Sequence, residues 1–345
     1  MISKKNILGT LAGNFSHQSH REMFNLVCDK VINLNNPPHQ RSILNFIRRG
    51  FHIFKNINRK EFSQYEFILT ESPLLEPNFN KKFFNSSFKI ITLFSSPGIY
   101  KVFDAHYGFV FSSFLKTVIK ESDAFLAVSK MCLDYLKEYD IYAPSLVTYP
   151  YVSPDKYEIL KNNTYHPDSN YILAIGYPIE YKGIDFTLKI FDILSEEKKD
   201  LRLKIITKTL SPKYLGGVKN TDKIDIYSGL DTNNFCRLVG GAKACVHMGR
   251  FDTFPISTLE TMLAGVPTFV SDKTGTKEVV GEVDKRYILP FDIHESIENI
   301  EWFFSLKEKQ KTHHSGLFRR HAQPFNRPMC LRDFKQKFER IIECL

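Results

Sequence analysis

Short apolar runs alternate with amphipathic stretches along the first half of the chain. Asn6–Leu11, Val31–Leu34, Glu66–Thr70, Lys89–Phe94, Ala124–Val128 and Leu146–Tyr149 have the length and apolar content of buried strands. The alternation predicts a parallel sheet with helices on both faces. In the second half, a five-residue apolar strand is predicted to end at Gly176, with further strands at Leu203–Thr207, Ile224–Tyr227, Ala244–His247 and Thr268–Val270. Helices are expected after Lys182-Gly183, from about Thr232, around His294–Ser305 and over Leu331–Cys344, with a Lys-rich turn before the last. Pro150 to Pro167 carries Pro, Asn, Asp and Tyr with little periodicity and reads as a linker. Two α/β domains follow.

The most informative stretch is Arg250 to Asp272. Pro255 suits a helix start, where its missing N–H costs nothing. Ile256, Leu259, Met262 and Leu263 recur at helical spacing, Gly265 ends the helix, and Pro267 prevents its continuation. Asp252 precedes this helix and Glu260 falls in its second turn. A helix N-terminus suits a phosphate, and carboxylates accept hydrogen bonds from ribose or sugar hydroxyls. The pair is therefore a candidate grip on the two ends of a nucleotide-sugar. The same residues also fit plain capping, with Asp252 or Thr253 as N-cap and Ser257 with Glu260 as a capping box.

Length and composition narrow the class. A chain of 345 residues, 43% hydrophobic and 25% charged, has the makeup of a soluble globular protein of two ordinary domains. The six cysteines are scattered without a CxxC pair, which argues for reduced thiols and against a zinc site or disulfide framework. No apolar run reaches the length of a membrane span, and the apolar start is too short for a secretion signal. A cytoplasmic location is expected. The net charge of +9 is concentrated in the first 166 residues and after residue 304, around an acidic middle. Within residues 41–60, Ile43, Leu44, Ile47, Phe51 and Phe54 lie among Arg41, Arg48, Arg49, Lys55, Arg59 and Lys60. Such a basic amphipathic segment suits an anionic membrane surface, and equally a core-packed helix with a solvated basic face. No basic-aromatic pattern for nucleic acid appears.

The stretch from Asp252 to Asp272 resembles the donor-site signature of retaining GT-B glycosyltransferases, family 4 in particular. That family has two acids separated by seven residues, then helix, Gly, Pro, strand and Ser-Asp. Asp252 stands where Glu is usual, and Glu260 is the second acid. Thr274-Gly275-Thr-Lys-Glu278 resembles the family's Gly-containing loop, and Gly176 to Lys182-Gly183 its Gly-Arg-Leu…Lys-Gly segment. Tyr177 occupies the Arg position, so the donor diphosphate lacks one expected cation; Arg250 and Lys208 are the candidate substitutes.

The resemblance implies two facing Rossmann-like, doubly wound α/β domains with a cleft between them. They are expected at 1–160 and 161–328, with the helix at 329–345 packing back on the first. It implies transfer of a sugar from a nucleotide-sugar to a lipid-linked or saccharide acceptor, with retention and with no essential metal or cofactor. Lys182, Asp252 and Glu260 would carry catalysis. Gly176, Tyr177, Lys208, Arg250, Phe254, Pro255, Thr274 and Gly275 would complete the donor site. Acceptor-side candidates are Gly13, Asn14, Ser95, Ser96 and His106. A degenerate sugar-nucleotide-binding protein and a sugar-nucleotide epimerase of the same fold are the competing expectations. Ser129 also ends a strand near the same edge and equally fits a helix N-cap.

Overall fold

The computed structural model describes residues 6–11, 17–34, 61–71, 76–84, 86–95, 98–104, 109–177, 180–211 and 214–345. The chain divides into two compact units, Met1–Pro150 with Cys330–Leu345, and Tyr151–Met329.

The first unit contains β1 (Ile7–Leu11), α1 (Gln18–Val27), β2 (Lys30–Asn33), β3 (Phe67–Thr70), α2 (Glu76–Phe84) and β4 (Lys89–Phe94). α3 (Gly98–Phe103), α4 (Phe109–Ile119), β5 (Ala124–Ala127), α5 (Lys130–Glu138) and β6 (Ser145–Val147) follow. Its six strands lie in the order β2-β1-β3-β4-β5-β6, all pairs parallel. β3 and β5 are buried along their whole length, as parallel strands covered on both faces must be. Leu8, Ile68 and Ile90 from neighbouring strands pack with Phe62 and Phe88 into one cluster. Ser129 accepts the N–H of Cys132 at 3.2 Å and is the N-cap of α5, the capping role that fits its place after β5.

The second unit opens with α6 (Pro154–Leu160), β7 (Tyr171–Ile175), α7 (Ile184–Glu197), β8 (Arg202–Ile206), β9 (Ile224–Tyr227), α8 (Thr232–Gly240) and β10 (Ala244–His247). It continues through α9 (Ile256–Leu263), β11 (Thr268–Ser271), α10 (Lys277–Val280), β12 (Ile288–Leu289), α11 (Ile293–Ser305) and α12 (Glu308–Ala322). The strand order is β12-β11-β10-β7-β8-β9, again parallel throughout. The order reverses between β7 and β10, and open α/β sheets bind ligands beyond the carboxyl ends of strands at such a switch point.

Three expectations need correcting. The stretch read as linker contains α6, started by Pro154 in the first turn with Asp155 beside it. The Lys-rich turn is α12, a helix of 15 residues whose weakly amphipathic sequence hides its period. The last helix, α13 (Arg327–Glu343), starts earlier than predicted because Pro328 is tolerated in a first turn.

Candidate functional site

Two loops meet at the switch point of the second sheet. One follows β7 and carries Lys182-Gly183; the other follows β10 and carries Met248 to Asp252. Gly183 is what lets them touch. Its φ is +62°, and a Cβ there would sit 1.5 Å from the Met248 carbonyl oxygen. Only glycine fits both the left-handed backbone and the contact. The crossing is tied by the Arg250 N–H, which donates to the Tyr181 carbonyl at 2.7 Å.

The Asp252 loop is fixed from below. Asp252 N–H donates to Lys273 O at 3.2 Å, and Gly275 N–H donates to Asp252 O at 2.8 Å. Ser271 Oγ donates to the Gly249 carbonyl and lies 2.9 Å from Thr274 Oγ1. The following helix begins at Ile256 with Pro255 as its N-cap residue, without a side-chain cap. Neither Asp252 nor Thr253 is therefore the N-cap, and Ser257 lies inside the first turn, so the expected S-x-x-E box is not formed.

Lys182 Nζ donates to Asp252 Oδ2, and His247 Nε2 lies 3.0 Å from the same oxygen. All three side chains belong to one cluster, with Asp252 and His247 buried. Burial alone would raise the Asp252 carboxyl, but the Lys182 charge and the His247 hydrogen bond outweigh it and hold it at about 2. Glu260, also buried, binds Lys156 Nζ through Oε1 at 2.8 Å. Burial pushes its carboxyl above the usual range, against the opposing charge of Lys156. Among the described residues no hydrogen bond reaches Asp252 Oδ1 or Glu260 Oε2. Each acid thus has one oxygen engaged by a cation and one left to accept.

The remaining predicted residues have contacts of their own. Phe254 packs on Phe325 with ring centroids 5.8 Å apart. Pro255, Thr274 and Gly275 are buried, and Gly176 N–H donates to Ile206 O at 3.1 Å. Arg250 is held two-pronged by Asp185 at 2.8 and 2.6 Å, and its hydrogen bonds keep the Asp185 carboxyl below the usual range. Lys208 is exposed, with its ammonium 5.5 Å from the ring centroid of Tyr177, which is itself half exposed. Among the described residues no group of three His, Cys, Asp or Glu side chains is arranged to hold a metal ion, and no helix is long and apolar enough to cross a membrane.

Of the acceptor-side candidates, Ser95 is half-buried at the end of β4, its N–H donating to Leu93 O at 3.1 Å. Gly13, Asn14, Ser96, His106 and residues 41–60 lie outside the described residues. At the switch point of the first sheet, between β1 and β3, the buried His20 Nδ1 lies 2.8 Å from Glu71 Oε1.

The sequence reading missed His247, Lys156, Asp185 and the His20–Glu71 pair. His247 ends a strand beside the switch point, a position the strand-end rule singles out. Lys156 meets Glu260 across 104 positions of sequence, and no local pattern signals that.

Residues 155–314 match the family model described as glycosyl transferases group 1, a segment wholly inside the second unit. A sucrose-phosphate synthase from Thermosynechococcus elongatus is similar in structure, with a TM-score of 0.72 at 13% identity, covering 99% of this chain and 100% of that one. A glycosyltransferase from Rickettsia africae aligns with a TM-score of 0.67 at 14% identity, over 99% of each chain. An Anabaena protein solved with UDP and glucose aligns with a TM-score of 0.67 at 12% identity, over 97% of this chain and 99% of that one. A comparison with curated protein sequences gave no match. The class defined by the two parallel sheets and the matched domain is that of a GT-B glycosyltransferase. Its group 1 domain is the unit that carries Lys182, Asp252 and Glu260.

Proposed function

We propose that the protein transfers a sugar from a nucleotide-sugar to a saccharide or lipid-linked acceptor, with retention at the anomeric carbon and without an essential metal. One observation carries the reading. Asp252 and Glu260 flank a single helix N-terminus, each buried, each held by a lysine through one oxygen and open at the other. Glu260 accepts from the ribose, and Asp252 contacts the donor sugar. Lys182 and the N-terminus of α9 face the diphosphate, with Arg250 or Lys208 adding the second cation. In the reaction the bond from the anomeric carbon to the diphosphate oxygen breaks, and its electron pair leaves with the diphosphate. A new bond forms to the acceptor hydroxyl oxygen, whose proton is released to the leaving phosphate. Charge developing on that phosphate is stabilised by cations and N–H dipoles fixed in advance. Residues 41–60 bring the acceptor-side unit to an anionic membrane surface.

A second reading, a sugar-nucleotide-binding protein without turnover, draws on the engagement of Arg250 by Asp185 and on the neutral Tyr177. A thermal-shift panel of UDP-, GDP-, ADP- and dTDP-sugars, followed by product analysis, tests both. A donor that binds only the native state raises the melting temperature. Sugar transfer or donor hydrolysis supports the enzyme, whereas stabilisation without turnover supports the binder. No stabilisation by any of the four overturns the donor site.

A further inference from the structure

Neither the 250–280 stretch nor its resemblance draws attention to Lys156. It stands on α6, and its ammonium is fixed from two sides. Nζ donates to Glu260 Oε1 at 2.8 Å and lies 3.8 Å from the ring centroid of Phe235 on α8, a cation–π distance. The start of α6 is tied to α8 as well, since Thr232 Oγ1 donates to Asp155 Oδ2 at 3.0 Å. The lysine is thus held between the ring of Phe235 on α8 and the carboxylate of Glu260 on α9, and its own helix is tied to α8.

Glu260 requires such a partner. Its side chain is only 7% exposed, and a buried carboxylate without a counter-charge takes up a proton rather than stay ionised. A protonated carboxyl is a much weaker acceptor than a carboxylate. The lysine also decides geometry. It occupies Oε1, so Oε2 is the oxygen that remains open.

Resting on the donor-site reading above, we propose that Lys156 is a positioning residue of that site. It supplies the counter-charge of Glu260, fixes the carboxylate through Oε1, and presents Oε2 to a ribose hydroxyl of the bound nucleotide.

The groups that face Glu260 are few. Lys156 and Asp155 come from α6 and Cys236 from α8. On α12, Arg319 meets α9 at its far end, at the carbonyls of Leu263 and Ala264. Cys245 of β10 faces Thr261. Burial and the Glu260 charge push the Cys236 thiol up to about 11. The Asp155 carboxyl is held below the usual range, first by a hydrogen bond from Ser153. Glu260 is therefore the group whose charge the loss of Lys156 alters most directly.

The test is isothermal titration of UDP, GDP, ADP and dTDP into the wild type, Lys156→Met, Lys156→Arg and Glu260→Gln from pH 6 to 9. Each affinity is taken relative to the wild type at the same pH, which cancels titration of the nucleotide. Lys156→Met is expected to bind about tenfold more weakly at the acid end of the range, with the gap narrowing as pH rises, because Glu260 without its counter-charge holds a proton to higher pH than in the wild type. Lys156→Arg restores affinity to within about threefold at every pH, because it keeps the charge and a donor. Glu260→Gln stays weak at every pH. A gap independent of pH, or failure of Lys156→Arg to rescue, assigns Lys156 to packing and overturns the proposal. Wild-type affinity in Lys156→Met with weakened Glu260→Gln overturns it too and leaves the donor site intact. Wild-type affinity in Glu260→Gln overturns the donor site itself. If Lys156→Met does not fold, the same ratios are read from Lys156→Gln.

Discussion

Replacing Lys182 with Met removes one charge from the most constrained cluster of the molecule while keeping the length of the side chain. Asp252 would be left buried, with a side chain 8% exposed and His247 at 3.0 Å as its remaining partner. The Lys182 charge and the His247 hydrogen bond hold the Asp252 carboxyl at about 2, below its ordinary 3.8, a difference on the order of 2–3 kcal/mol of folding free energy. Its folded-state value lies below the unfolded one. That contribution is therefore complete above about pH 4 and is lost as pH falls through about 2. Removing one member of a buried pair costs about 3–5 kcal/mol, and the surviving His247 contact keeps the loss near the lower limit. Lys182→Met is thus expected to destabilise the second unit by about 3 kcal/mol at pH 7. The deficit shrinks as pH falls and Asp252, without its lysine, takes up a proton. Urea denaturation at several pH values measures it, alone and in an Asp252→Asn background. In that background there is no charge to strand, and the cost should fall below about 1 kcal/mol. Sugar transfer should be lost in the single variant. A deficit below about 1 kcal/mol at pH 7, or the same deficit in both backgrounds, would refute the reasoning.

Gly183→Ala should destabilise by about 3 kcal/mol, since it combines a left-handed backbone cost with a collision against the Met248 carbonyl; an unchanged urea midpoint would contradict the crossing described above. One of Arg250→Ala or Lys208→Ala should lower transfer by about tenfold or more if it supplies the second cation to the diphosphate. The Arg250–Asp185 pair is about one-third exposed, so Arg250→Ala should cost less than about 1 kcal/mol of stability. Full transfer rates in both variants would remove both substitutes. Co-sedimentation with liposomes should be stronger with anionic than with neutral lipid, and weaker once the basic residues of 41–60 are neutralised; equal partition into both lipids counts against membrane docking.

Most strands were legible because buried parallel strands leave a continuous apolar run, as Lys89–Phe94 and Ala244–His247 do. α9 was legible through its period and its breakers, Pro255 and Gly265. α12 was not. Its surface carries lysines, histidines and arginines, and only Ser315, Phe318 and Ala322 are buried, which is too few contacts to impose a helical pattern on the sequence. α6 was hidden for a similar reason, with Leu160 its one buried residue.

The candidate site divides along the same line. Sequence alone singled out Asp252, Glu260 and Lys182, because the spacing of two acids around a helix start and the Lys-Gly turn are local features. It also determined the strand–helix order from which two parallel sheets follow. It did not reveal what each charge is paired with. Lys182 bound to Asp252, Lys156 bound to Glu260 and Arg250 bound to Asp185 join positions 70, 104 and 65 apart. The first and third depend on which loops the strand order brings to the switch point and on how closely Gly183 lets them approach, the second on how the two helices α6 and α9 pack. Electrostatic partners are chosen by distance in space, so only the tertiary structure decided which cation serves which acid, and which oxygen of each acid stays open.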